Sequence, residues 1–218
     1  MTTTTRTPQT LSSGIVLVDP RTGVIQRIVV LQYNPDQLQR SLQVQSTSGE
    51  SGDRSEALRL KGPPVETFKL EAEIDATDQL EFPDANVTAS EVGIFPQLAA
   101  LESLITPTAN QIELGDMLLR AGAVEILPME APLALFVWSM QRVTPVRVTD
   151  FGITEEFFDT SLNPIRARVS LGMRTLSVND LGFAHRGASL FMSYLRNKEG
   201  LARRAPAGSL CALGGPPL

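Results

Sequence analysis

Chemistry in this chain would have to start from very few side chains. His185 is the sole histidine and Cys211 the sole cysteine among 218 residues, so a Ser-His-Asp or Cys-His nucleophile would have to recruit one of them. His185 borders a loop and a predicted surface helix, with no strand-turn-helix elbow beside it to present a nucleophile. Two acidic pairs, Asp75 with Asp78 and Glu155 with Glu156, have the residue types for general acid–base work. They fall at strand ends and turns, where carboxylate pairs are as a rule solvated or face a subunit. No Cys/His spacing suits zinc, no phosphate-binding glycine loop is present, and no G-x-G-x-x-G opens a helix after a strand. The expectation is a protein that is not an enzyme and carries no cofactor and no metal.

The elements that position these residues are mostly strands. Ile165 to Arg174 alternates, with Ile165, Ala167, Val169, Leu171 and Met173 on one face and Arg166, Arg168, Ser170, Gly172 and Arg174 on the other. Pro145 to Thr149 alternates before it, and the connector Ile153 to Pro164 separates the two, with Asn163-Pro164 as the turn. Between Val146/Val148 and Phe151/Ile153 the inward phase slips beside Gly152, which predicts a β-bulge or a strand end. Gly14–Val18 and Arg27–Tyr33 read as a hairpin around the turn Asp19–Gly23. Residues 46 to 64 read as a long loop. Thr67 to Asp75 alternates with Phe68, Leu70, Ala72 and Ile74 inward, and the apolar run Leu133–Trp138 reads as a buried strand with its lone Trp in the core.

Two helices are predicted. Ile94, Leu98, Leu101 and Ile105 recur at helical spacing, with Pro96 tolerated in the first turn and Thr106-Pro107 as the stop. Ala188 to Arg204 reads as an amphipathic helix carrying Leu190, Phe191, Tyr194, Leu195 and Leu201, before a Gly/Pro-rich tail from Pro206. Residues 108 to 132 stay ambiguous. The expected domain plan is a mobile arm over 1–13, a β domain over 14–182, and a C-terminal helix and disordered tail over 183–218.

Charge is divided along the chain. Residues 1–165 hold 11 Lys/Arg against 22 Asp/Glu, whereas residues 166–218 hold 8 against 2. The basic set Arg186, Arg196, Lys198, Arg203 and Arg204 lacks the interleaved aromatics of a single-strand groove, so no nucleic-acid partner is expected. A solvated helix face and a subunit interface both remain open for it. No run approaches the roughly 20 apolar residues of a membrane-spanning helix, and the first residues lack the apolar core of a secretory signal. Assembly in the cytoplasm without direct membrane insertion is the expectation, which makes the sequon Asn86-Val87-Thr88 accidental. Cys211 has no partner for an internal disulfide.

Six segments occur in a consistent order: Leu31-Gln32-Tyr33-Asn34-Pro35, Leu70 to Asp78, Gly93 to Glu102, Leu135 to Trp138, Ile153 to Glu156, and Leu162 to Ala167. On these residues the chain resembles the tube-protein family of contractile injection systems, the phage-tail-like particles that drive a tube through a membrane. The resemblance implies an α+β, mainly β fold: a tube-like β-barrel of two packed sheets with one packed helix and a C-terminal helix. It implies a structural subunit of a homo-oligomeric, hexameric ring at the inner tube or the tube–baseplate junction, with neighbouring tube, baseplate and spike proteins as partners. Many such relatives append a peptidoglycan-binding LysM module, for which this sequence has no counterpart. The candidate subunit-interface residues are Tyr33, Asn34, Asp75, Asp78, Glu155, Glu156, Arg166, Arg168, Arg196 and Arg203. The competing class is a soluble ligand-binding or enzymatic β-barrel.

Overall fold

The longest stretch of strict alternation organises the sheet. In β4 (Val65–Asp75), Glu66, Phe68, Leu70, Ala72 and Ile74 are all buried, and the intervening residues line the outer face. The computed structural model describes residues 12–46, 59–120 and 131–206. β4 pairs antiparallel with β3 (Leu38–Gln43) on one side and β7 (Pro164–Thr175) on the other. β7 pairs with β6 (Arg142–Phe158), β6 with β5 (Leu133–Ser139), β5 with β1 (Gly14–Val18), and β1 with β2 (Ile25–Val30). The result is a single seven-stranded antiparallel sheet of order β2-β1-β5-β6-β7-β4-β3.

One sheet replaces the two packed sheets expected from the resemblance, and the barrel is not closed. β2 and β3 are the outer strands of this sheet yet consecutive in the chain, joined only by Leu31 to Gln37. Six spacings of about 4.8 Å would part the edges of a flat sheet by roughly 29 Å. Seven residues at about 3.3–3.6 Å each fall short of that even when fully extended. The sheet therefore curls until its edges approach. At the seam the Gln32 side chain stands in for a strand: its Nε2 donates to the Asp75 carbonyl at 2.7 Å, and its Oε1 accepts from the Asp75 N–H at 3.0 Å. The register is staggered across the sheet. Val30 lies level with Val143 through Gly14 and Val137, whereas Asp75 lies level with Glu156 through Arg166. β3 covers only Val65 to Leu70 of β4, which leaves the end of β4 to this amide contact.

The inner face is filled. Phe68 and Phe136 meet at 5.4 Å between ring centroids, Trp138 packs partly buried against Phe136, and Ile15, Val169, Leu171 and Met173 close the cluster. α3 (Phe95–Glu102) adds Leu98 and Leu101 to this core, together with Ile94 at its N-cap. It ends at Glu102, earlier than its periodicity suggests, and leaves Ile105 exposed. The short helices α1 (Thr77–Leu80) and α2 (Val87–Val92), and α4 (Ala109–Arg120), complete the run between β4 and β5. α5 (Arg186–Ala202) buries Ala188, Phe191 and Tyr194.

Several sequence expectations hold in detail. The first hairpin forms, with its second strand at Ile25–Val30 and not over Arg27–Tyr33, and the Asp19 carboxylate accepts from the N–H groups of Arg21 and Thr22 to shape its turn. The phase slip in β6 is a register shift between Val148 and Asp150. The connector from Ile153 is a correction: β6 runs on to Phe158, so strand rather than loop carries Glu155 and Glu156, and the turn is confined to Asp159–Asn163. Ser13, placed at the end of the expected mobile arm, is buried, and its N–H donates to Asn34 Oδ1 at 2.8 Å. The rest of that arm (1–11), most of the loop at 46–64, residues 121–130 and the tail beyond Pro206 lie outside the described residues.

Candidate subunit interface

The outer face near the end of the β6–β7 hairpin gathers four of the ten candidate residues. Period-two alternation sends Asp75 and Glu73 on β4, Arg166 and Arg168 on β7, and Glu156 on β6 to the same side. Arg166 stands between Asp75 and Glu156 in register, pairs with Glu73, and lies 3.8 Å from Asp75. Arg168 Nε lies 3.6 Å from Glu156. These four candidates are thus engaged with one another inside a single chain. Exposed pairs of this kind contribute about 0–1 kcal/mol each, so they align three strands more than they stabilise them. Glu155 takes the opposite face beside Ala167, beyond the filled core, and is exposed.

Tyr33 and Asn34 lie in the link that crosses the seam. Tyr33 is exposed, while Asn34 holds Ser13. The carboxylate of Asp75 accepts from the Thr77 N–H at 2.7 Å, and Asp78 is exposed in α1. Asp75 and Asp78 therefore make no shared carboxylate site: one shapes a turn and the other faces solvent. Arg196 and Arg203 sit apart, exposed at α5.

The hairpin turn is held by one side chain. The Asp159 carboxylate accepts from the N–H groups of Ser161 and Asn163 and from Asn163 Nδ2. The Asn163 side-chain hydrogen bond is the chief cause that keeps this carboxyl below the usual carboxylate range. Asn163 Nδ2 also donates to the Glu91 carbonyl, which ties the turn to α2. Two bulky residues flank the turn with positive φ, Phe157 at 54° and Leu162 at 64°, a conformation that L side chains of this size rarely adopt. Both point into solvent, 67% and 75% exposed. An apolar tip thus stands beside an ordered charge ladder.

The opposite end of β4 holds a different arrangement. Glu66 is 3% exposed. It accepts from the Tyr194 hydroxyl at 3.0 Å and from Lys198 Nζ at 2.8 Å, with Arg40 Nε at 3.6 Å. Lys198 also lies 4.6 Å from the centre of the Tyr194 ring. Burial, and then the Glu66 charge, push the Tyr194 phenol above its ordinary value. This network fastens α5 to the sheet. Its signal was in the sequence, because Glu66 shares the inward phase of Phe68 and Leu70. Along a strand, Glu66 and Asp75 are roughly 30 Å apart.

His185 belongs to neither end. Its Nδ1 accepts from the Gly187 N–H at 3.0 Å and so caps α5. A wide polar trough of about 1000 Å³ runs over the outer face past Lys69, Glu71, Asp150 and Ser170. Among the described residues no group of three or more His, Cys, Asp or Glu side chains is arranged to hold a metal ion, and no helix is long and apolar enough to cross a membrane.

No family model matches this sequence, and no curated protein does. Among solved structures, the chain is similar to one in the tail of an empty GTA particle determined by helical refinement with C6 symmetry. The two share 11% identity over 75% of this chain and 90% of that one, with a TM-score of 0.30.

Proposed function

We propose that this chain is a non-enzymatic structural subunit of a phage-tail-like contractile particle, forming a hexameric ring at the inner tube or at the tube–baseplate junction. The observation that carries this reading is where the six tube-like segments fall. Gln32 bonds Asp75, Asp75 and Glu156 flank Arg166, and the Ile94 N–H donates to the Pro164 carbonyl at 3.0 Å. Five segments spread from Leu31 to Ala167 thus meet at one corner where seam, hairpin and α3 join. The sixth, Leu135–Trp138, supplies Phe136 at the core centre. The five segments build one joint.

Two further features support a ring. The curled sheet leaves the outer edges of β2 and β3 without strand partners among the described residues, and β2 exposes Ile25, Ile28 and Val30. Such edges aggregate unless a partner covers them, and cyclic closure covers them all. The filled interior argues against the competing ligand-binding barrel, since Phe68 and Phe136 occupy the space a ligand would need. Electron microscopy of particles purified through a tagged copy is the test. Six-fold density carrying the tag is expected, and a strictly monomeric protein that never enters particles overturns the reading.

A further inference from the structure

No residue of α4 is buried. Ile112, Leu114, Met117, Leu118 and Leu119 are all exposed, while Glu113, Asp116 and Arg120 recur at i, i+3 and i+7 as one polar stripe, closed by an Asp116–Arg120 ion pair at 2.8 Å. Apolar side chains thus cover most of the circumference of a helix that buries none of them among the described residues. Surface of this kind marks a docking face.

The same chain carries a groove of about 350 Å³ with matching chemistry. Leu104, Ile105, Leu133, Val148 and Leu181 line it, and Arg147 lies on its rim. Arg147 is exposed and has no ion-pair partner among the described residues; nor has Glu113, one turn before Met117 on the apolar face of α4. No residue of α4 lines this groove. Ile105 is part of the groove lining, and only Thr106, Pro107 and Thr108 separate it from α4. Pro107 fixes its own φ. Thr108 and Gln111 form a reciprocal capping box: the Thr108 N–H donates to Gln111 Oε1 at 2.9 Å, and the Gln111 N–H donates to Thr108 Oγ1 at 3.3 Å.

We propose that the apolar face of α4 from one copy of this chain docks in the Leu104–Leu181 groove of a neighbouring copy, with Glu113 against Arg147. This clasp rests on the reading of the chain as a ring subunit. A standard interface buries about 800 Å² per partner, more than one face of a short helix supplies. The clasp therefore adds to the other ring contacts and does not replace them.

Disulfide trapping in assembled particles tests it. In a Cys211→Ser background, differently tagged chains carrying Met117→Cys or Ile105→Cys are mixed, assembled and oxidised. The expected product joins one tag to the other, and Arg147→Glu lowers its yield roughly five-fold, the effect of losing one exposed charge pair. Adding Glu113→Arg to the Met117→Cys partner restores it. Met117, Ile105, Arg147 and Glu113 are all exposed, and circular dichroism verifies the fold. A crosslink found only within one chain of an Ile105→Cys/Met117→Cys double variant overturns the clasp in favour of self-docking. Rings that assemble without any crosslink overturn it while leaving the ring reading intact. If the unsubstituted chain forms no rings, both fall together.

Discussion

A Cβ placed on Gly93 would lie 2.2 Å from the carbonyl oxygen of Pro164. The Gly93 backbone, at φ 59° and ψ −137°, occupies a region open in practice only to glycine. This contact lets the turn into α3 press against the turn end of the β6–β7 hairpin, where the next N–H, of Ile94, donates to the same Pro164 carbonyl. Two faults would combine in Gly93→Ala, a strained φ and a backbone clash that no rotamer relieves. The expected cost is about 2–4 kcal/mol, in the range of severe single substitutions, measured by urea denaturation. A change under about 0.5 kcal/mol, the size of an ordinary surface effect, would show that this junction is loose.

Gln32 closes the seam with two hydrogen bonds that only a side-chain amide can make together. Gln32→Leu keeps the bulk and removes both, leaving the Asp75 N–H and C=O to water. Each bond contributes about 0.5–1.5 kcal/mol net, so a loss of roughly 1–2 kcal/mol is expected, with faster hydrogen exchange at the Asp75 amide. Gln32→Glu retains the acceptor for the Asp75 N–H but loses the donor, and should fall between the two. Unchanged exchange at Asp75 in the Leu variant would sink the seam argument.

The strands were legible in the sequence wherever one face is core. Phe68 to Ile74 and Ala167 to Met173 alternate because the sheet buries one side of them, and the Val148/Asp150 shift showed as a slip in that alternation. β3 was not legible. Leu38–Gln43 has no buried residue, so its hydrophobicity carries no period, and only its ladder with β4 makes it a strand. The far part of β6 was hidden for the same reason, since Glu155 to Phe158 extend past the core and depend on β7. At the candidate site, local sequence gave the acidic and basic residues but not their pairing. Asp75, Arg166 and Glu156 become neighbours only through the register of three strands.

The Glu66 network makes an asymmetric prediction. Lys198→Met leaves a buried carboxylate with Tyr194 and with Arg40 at 3.6 Å, and removing one partner of a buried charge is the costly direction. Glu66→Gln leaves Lys198, which is partly exposed, free to turn to water. The expected losses are about 2–4 kcal/mol for Lys198→Met and about 1 kcal/mol for Glu66→Gln, read from denaturant midpoints. The reverse order would mean that the carboxylate is hydrated and the network is incidental.

The same network sets an alkaline limit on α5 docking. A phenol whose folded value lies above the ordinary value of about 10 contributes its full share of stability below that pH. It loses that share as pH rises through the folded value. In Tyr33→Phe, Tyr194 is the only tyrosine left, and its ultraviolet titration should have a midpoint above about 10, with helix signal lost as it ionises. A midpoint at or below the ordinary value would contradict the buried contact with Glu66.

The charge split of the sequence is smaller in the folded chain than in the composition, and this sharpens what salt should do. Of the eight basic residues after Ile165, Arg166, Arg168, Arg174 and Lys198 are paired within the chain, with Glu73, Glu156, Asp180 and Glu66 respectively. Arg186 donates to the Thr22 carbonyl. Arg196, Arg203 and Arg204 remain as exposed cations at α5, while exposed Asp78, Glu81, Asp84, Glu91 and Glu155 lie beyond the other end of β4 or along the hairpin. If successive subunits meet head to tail, this basic helix faces that acidic end. Exposed charges are screened beyond about 10 Å at roughly 0.1 M ionic strength, so association should weaken with added salt. Each pair contributes only about 0–1 kcal/mol, and a single reversal would be hard to see. Arg196→Glu with Arg203→Glu changes two contacts from attraction to repulsion, and sedimentation of assembled particles should then show clear loss of the subunit at low salt. Because neither residue is buried, folding is expected to be unchanged by denaturation. If the double reversal and high salt both leave assembly as it was, α5 presents an ordinary solvated face and the head-to-tail arrangement must rest on the apolar hairpin tip at Phe157 and Leu162.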